Sequence, residues 1–253
     1  MSCLLYCVFG APGPPAPGPL EGVGGGPVFV LRHRGLGAAL STLAPGACPQ
    51  DFGAVRAHGR VVAAFHAHRT VVPMRFGCLL AHESQVNRLL QEHVGHYRAL
   101  LQELEGCAEM GIRLLLPAPS PAKPDGLTGP GGVPSPAGNG ATAAAQGSAY
   151  LLARKSYYDQ QDRESQGQRQ IAAQCLAHFA GRFKKFRIEN RCLGWPLLSL
   201  YFLVPRSSLD AFCQAFRTFS PAPGAKALLS GPWPPYNFVT DGPNFFREPA
   251  REQ

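Results

Sequence analysis

The chain has 253 residues, enough for two domains of ordinary size. Hydrophobic residues make up 45%, as in a globular protein, and charged residues only 16%. The formal charge of +8 comes mainly from arginines scattered through segments that read as helix or strand, which argues against a nucleic-acid platform.

In chain order, "SCLLYCVF" (2–9) reads as a short buried strand, and the Gly/Pro stretch 10–27 after it as a flexible insertion or long loop. Residues 28–43 read as two strands broken at "RHRG", a hairpin. Over 51–68, Phe52, Val55, Gly59, Val62 and His66 fall near one helical face, with Asp51 placed to cap it. "TVVPMRFGCLL" (70–80) is strand-like. From Ser84 to Glu105 the apolar positions Val86, Leu90, Val94, Tyr97, Leu101 and Leu104 keep a helical period. "CAEMGIRLLL" (107–116) follows as a strand. The alternation resembles β-α-β-β-α-β with an altered start, so residues 1–116 are expected to form a ferredoxin-like α+β domain.

Residues 117–147, rich in Pro, Gly, Ser and Ala, read as a linker. A second, smaller α+β domain is expected over 148–253: a long helix, strands 182–190 and 196–205, a helix 206–219 and a last strand 225–231. That strand runs into "LLSGPWPPYNFVT" (228–240). Pro232, Pro234 and Pro235 remove three amide donors, so this stretch cannot be an interior strand. Either it folds Trp233, Tyr236 and Phe238 back over a core, or it presents Trp233 and Tyr236 to a partner as rigid aromatic anchors.

Candidate chemistry is sparse. No apolar run approaches the ~20 residues of a membrane helix, and "MSCLLYCVFG" makes a poor signal peptide. None of the eight cysteines sits in a C-x-x-C pair, so free thiols in a reducing cytoplasm are expected. His66, His68, His93 and His96 could serve a metal-dependent enzyme, yet their positions suit core or boundary residues better. There is no G-x-S-x-G elbow, no cysteine beside an evident base, and no phosphate loop around "EGVGGGP". "RFKKFRIENR" has the alternation of a strand with one wet face. Strand parity leaves Arg75 and Gly77, and Glu109 and Gly111, on the less apolar faces of their strands. If those strands were neighbours, Arg75 and Glu109 could pair, as a structural ion pair or as part of a functional face.

"TVVPMRFG" (70–77), the leucine-rich helix, "LEGCAEMGIRLLL" (104–116), "AYLLARK" (149–155), "LLSLYFLVPR" (197–206) and above all "LSGPWPPYNFV" (229–239) resemble the gas vesicle GvpL/GvpF family, in family order. The stretches 10–27 and 117–147 match nothing in it, and Met110 stands where an aromatic is more usual. The resemblance implies a modified ferredoxin-like N-terminal domain, an α+β C-terminal domain, no enzymatic activity and no cofactor. It further implies an accessory role in gas vesicle formation, with the small hydrophobic shell protein and other accessory proteins as partners, in the cytoplasm and at the vesicle. The candidate interface or motif residues are Arg75, Phe76, Gly77, Glu109, Trp233, Pro235, Tyr236 and Phe238.

Overall fold

The computed structural model describes residues 1–13, 17–44, 49, 51–116, 166–192, 196–221 and 223–239. The linker expected over 117–147 lies outside them. Two antiparallel sheets with helices make a mixed α+β structure.

The first sheet takes its strands in the order β2 (Phe29–His33), β3 (Leu36–Leu43), β1 (Ser2–Gly10), β4 (Val71–Pro73), and β5 (Leu79–Leu80) also pairs with β1. Every residue of β1 from Cys3 to Phe9 is buried. The reason is a layer of helix on each face, which demands a continuous apolar run rather than an alternating one. On one face Leu4, Tyr6, Cys7 and Phe9 pack with α1 (Phe52–His68) through Ala57, Val61 and Phe65. On the other, Cys3, Leu5 and Val8 pack with α2 (Glu83–Glu92) and α3 (Val94–Glu103) through Val86, Leu90, Tyr97 and Leu100. A bulge between Leu5 and Cys7 lets Tyr6 and Cys7 share a face.

Three local expectations change. Val62 and His66 are buried on α1 as expected, but the face is completed by Ala54, Ala57, Val61 and Phe65, while Phe52 is 76% exposed and Val55 is exposed too. Asp51 does cap it, its Oδ1 accepting from the Ala54 N–H at 2.8 Å. The Gly/Pro stretch is partly packed: Val23 is fully buried, and its N–H donates to the Tyr6 hydroxyl at 2.9 Å. Gly22 is needed there, since a Cβ would sit 2.3 Å from that hydroxyl oxygen. The leucine-rich helix bends at His93, although the Tyr97 N–H still bonds the His93 carbonyl at 2.9 Å.

The second sheet has the order β7 (Lys185–Cys192), β8 (Pro196–Pro205), β6 (Cys107–Leu115), β9 (Lys226–Trp233). β6 was expected to end the first unit. It instead lies in the interior of the second sheet, between β8 and β9. With α4 (166–178) and α5 (Leu209–Thr218), this half of the chain carries the split β-α-β-β-α-β order that the sequence reading assigned to the first half. The first unit instead runs β1-β2-β3-α1-β4-β5-α2-α3, and its helices cover opposite faces of the sheet. Both α4 and α5 lie on one face of the second sheet, over Met110, Ile112, Leu114, Leu200 and Phe202. Phe179 and Phe212 stack at 4.5 Å between ring centroids in this core.

Candidate interaction site

Register explains the other face of the second sheet. Residues opposite one another across strands share a face, so Glu109, Gly111 and Arg113 of β6 group with Trp233, Ser230 and Leu228 of β9. Counted along β9, Trp233 should fall with Leu229 on the helix-covered side. One extra residue bulges out between Ser230 and Trp233 and reverses the parity, turning the indole to the open face. Gly231 makes the bulge possible: its φ is +113°, and a Cβ there would lie 2.7 Å from the Glu109 carbonyl oxygen.

Part of this open face is covered by the first unit. Leu203 and Phe238 belong to the same cluster as Met74, Cys78 and Leu104, and Tyr201 packs against it. The rest is bare: Leu228 is 61% exposed, Trp233 52% and Leu115 40%. Arg113 and Lys226 are exposed beside them.

The residues after Trp233 anchor it. Pro234 and Pro235 are buried, and a short turn (Tyr236–Phe238) follows, with the Tyr236 N–H bonded to the Pro234 carbonyl at 2.8 Å. Tyr236 packs on the α1-side cluster and Phe238 on the α2/α3-side cluster. Between them Asn237 meets Glu109, which is 4% exposed: the backbone N–H donates to Oε2 at 2.8 Å and the side-chain amide to Oε1 at 2.6 Å. Burial still holds the Glu109 carboxyl above the usual carboxylate range, against the pull of both Asn237 bonds, with the Glu189 charge adding to the rise.

The two halves of the sequence motif therefore meet. Met74 and Cys78 share a cluster with Phe238, and Phe76 packs on the same cluster as Tyr236. Phe76 also sets its ring edge-on to His58 at 5.7 Å. The Arg75–Glu109 pair does not form. β4 ends at Pro73 and pairs with β1, while β6 lies in the other sheet, so the strands are not neighbours. Arg75 is exposed, and Gly77 turns the chain with φ +90°. The parity read across 70–80 fails because two short strands replace the single long one.

The histidines do not assemble either; among the described residues no group of three or more His, Cys, Asp or Glu side chains could hold a metal ion. His66 is buried on α1, and burial, helped by Arg206, lowers its pKa to about 4. His68 is exposed, whereas His93 and His96 lie against Tyr97. Cys3, Cys7, Cys78, Cys107, Cys175 and Cys213 are free thiols, and burial pushes Cys78 and Cys175 up to about 12. Among the described residues no helix is long and apolar enough to cross a membrane. The sequence reading missed Leu228, Leu115 and Asn237. An apolar strand residue carries no mark of which sheet face will be left open, and Asn237 gains its role only from a contact 128 residues away.

The chain resembles known proteins over most of its length. It is 25% identical over 241 residues to gas vesicle protein L of a Streptomyces species, covering 87% of this chain and 85% of that protein. It is also 25% identical over 226 residues to gas vesicle protein F2 of Halobacterium salinarum, covering 87% and 84%. In fold it resembles the crystal structures of GvpF from an Anabaena species (TM-score 0.71, 17% identity, 94% and 95% of the two chains) and from Microcystis aeruginosa (0.68, 15%, 94% and 98%). A family model described as gas vesicle synthesis protein GvpL/GvpF matches residues 2–240, and the chain belongs to that family.

Proposed function

We propose that this chain is a non-catalytic accessory protein of gas vesicle formation that binds the small hydrophobic shell protein, alongside other accessory proteins, while the vesicle is assembled in the cytoplasm. The observation that carries the reading is the bare part of the second sheet, where Trp233, Leu228 and Leu115 stand exposed on one face. Large apolar side chains grouped in this way are more expected at an interaction surface than on a solvated one. A shell subunit that is itself hydrophobic needs such a surface to stay out of aggregates, and needs no cofactor for it.

The motif serves both purposes weighed from the sequence. Pro235, Tyr236 and Phe238 are structural, and Phe238 in the core contributes roughly 1.5–3 kcal/mol by burial. Trp233, at the end of a strand fixed by the bulge and the Glu109–Asn237 clamp, is the anchor, and a preset loop loses little entropy when it binds. Phe76 supports the motif from the first unit by packing on the same cluster as Tyr236. We further propose that the two functional units divide near Gly106 rather than at residue 116, because β6 works with the second sheet.

The test is co-expression with the small shell protein of the same organism, followed by affinity purification of this chain. Specific co-purification that falls at least about tenfold in Trp233→Ala, with the melting temperature unchanged, is the expected result. Absence of the shell protein from a well-folded wild-type bait removes shell binding from the account.

A further inference from the structure

A separate site lies at the far end of the first sheet. The β2–β3 turn is a two-residue loop, with Arg34 at φ +48° and Gly35 at φ +77°, both in the left-handed region that such hairpins require. Residues 11–13 fold against it, the Ala11 N–H bonding the Gly35 carbonyl at 2.9 Å. Between the two segments lies an open cavity of about 420 Å³ lined by Ala11, Pro12, Gly13, Arg32, His33 and Arg34, with Gly35 and Leu36.

Two more guanidinium groups reach this turn from the helix layers. Arg98 of α3 donates to the Arg34 carbonyl at 2.9 Å. Arg69, at the end of α1, lies over the Phe9 ring at 4.5 Å and within 3.7 Å of a Cβ built on Gly13. Burial lowers the Arg69 pKa against the pull of Cys7, and the like charge of Arg32 adds to the fall. Among the described residues the lining holds no carboxylate, and the ion pairs Arg88–Glu92 and Lys185–Glu103 lie elsewhere. The Nε2 atom of His33 is buried there without a hydrogen-bond partner among the described residues. Four guanidinium groups and an unsatisfied imidazole nitrogen thus surround one hairpin end.

We propose that this end of the sheet binds an acidic segment of a partner protein, an extended run bearing several carboxylates. The spread of the charges over both faces favours that occupant over a single small oxyanion. Arg98 reaches the turn from the α2/α3 side of the sheet and Arg69 from the α1 side, so the guanidinium groups do not converge on one point. An extended chain, at ~3.3 Å per residue, passes around the hairpin end from one to the next. Guanidinium forks match carboxylates in a bidentate manner, and several weak contacts on one chain add where a lone ion would be screened. The site does not include Trp233 and does not depend on the reading of the second sheet.

The test uses the full chain and a fluorescein-labelled hexaglutamate peptide, read by fluorescence anisotropy at moderate salt, with hexaglutamine as the uncharged control. The expected result is saturable binding of hexaglutamate alone, weakened at least about tenfold in Arg32→Gln/Arg34→Asn, where asparagine suits the left-handed turn position. A control that removes the same charge elsewhere, Arg88→Gln/Arg113→Gln, should weaken it less than about twofold. Should the hairpin variant melt early, Arg98→Gln alone must still weaken binding about threefold. The proposal is overturned by absence of wild-type binding, by equal losses in the hairpin and control variants, or by inorganic phosphate displacing the peptide at low millimolar concentration, which would mark a single-oxyanion site.

Discussion

Replacing Asn237 by alanine removes one of two hydrogen bonds to a carboxylate that is 4% exposed, leaving Glu109 Oε1 without the amide donor 2.6 Å away. The backbone bond to Oε2 at 2.8 Å survives the change. A hydrogen bond to a charged group contributes about 1.5–3 kcal/mol, and a buried acceptor left bare adds to the cost. The expected destabilisation is therefore about 2–3 kcal/mol, or about 4–12 °C in Tm for a chain of this size. In a Glu109→Gln background the same substitution should cost only about 1 kcal/mol, because the bond it removes is then neutral. The penalty should also depend on pH. Glu109 has its folded pKa raised above the usual carboxylate range, so the folded state holds this proton more tightly than the unfolded chain. The stability contributed by that proton is complete below about pH 4.5 and lost as pH rises through the raised value. Asn237→Ala should accordingly cost more at pH 7.5 than at pH 5, as read by thermal melts followed by circular dichroism. A Tm shift below about 1 °C, equal penalties at both pH values, or an undiminished cost beside Glu109→Gln would refute the clamp.

Other outcomes follow from the two cores and from α1. Phe179→Ala should cost about 3–5 kcal/mol in chemical denaturation, since the ring is fully buried and stacked on Phe212. Phe52→Ser should stay within about 0.5 kcal/mol of wild type, because that ring is 76% exposed; a large loss would restore the sequence-based face of α1. His58 and His66, each lowered to about 4 chiefly by burial, stay neutral in the folded state while the unfolded chain protonates near 6.5. Their stability is present above pH 6.5 and lost as pH falls toward 4, so His66→Leu should flatten the decline measured across that window; an unchanged slope would show that His66 is not held neutral.

Element existence was largely legible in the sequence, and partnership was not. "PLLSLYFLVP" and "CAEMGIRLLL" read as strands because their apolar runs are short and sharply bounded. Nothing in β6 records that it pairs with strands 82 to 124 residues further along rather than with the first sheet. The face of α1 was legible at Val62 and His66 but not in its first turns, because Ala54 and Ala57 give a weaker hydrophobic signal than the exposed Phe52 and Val55. Trp233 stands out in the sequence as an aromatic among prolines, but its direction depends on a bulge whose local sign is Gly231. A pair between Arg75 and Glu109 required their strands to be neighbours, and β4 and β6 lie in different sheets.

The most direct measurement places a photo-crosslinking benzoylphenylalanine at Leu228 in the full chain, co-expressed with the small shell protein, with the same residue at exposed Phe52 as the reference. The account predicts a shell-protein adduct at position 228 and little or none at position 52. Adducts of equal yield at both positions, or at position 52 alone, would contradict the assignment of the open face of the second sheet as the binding surface.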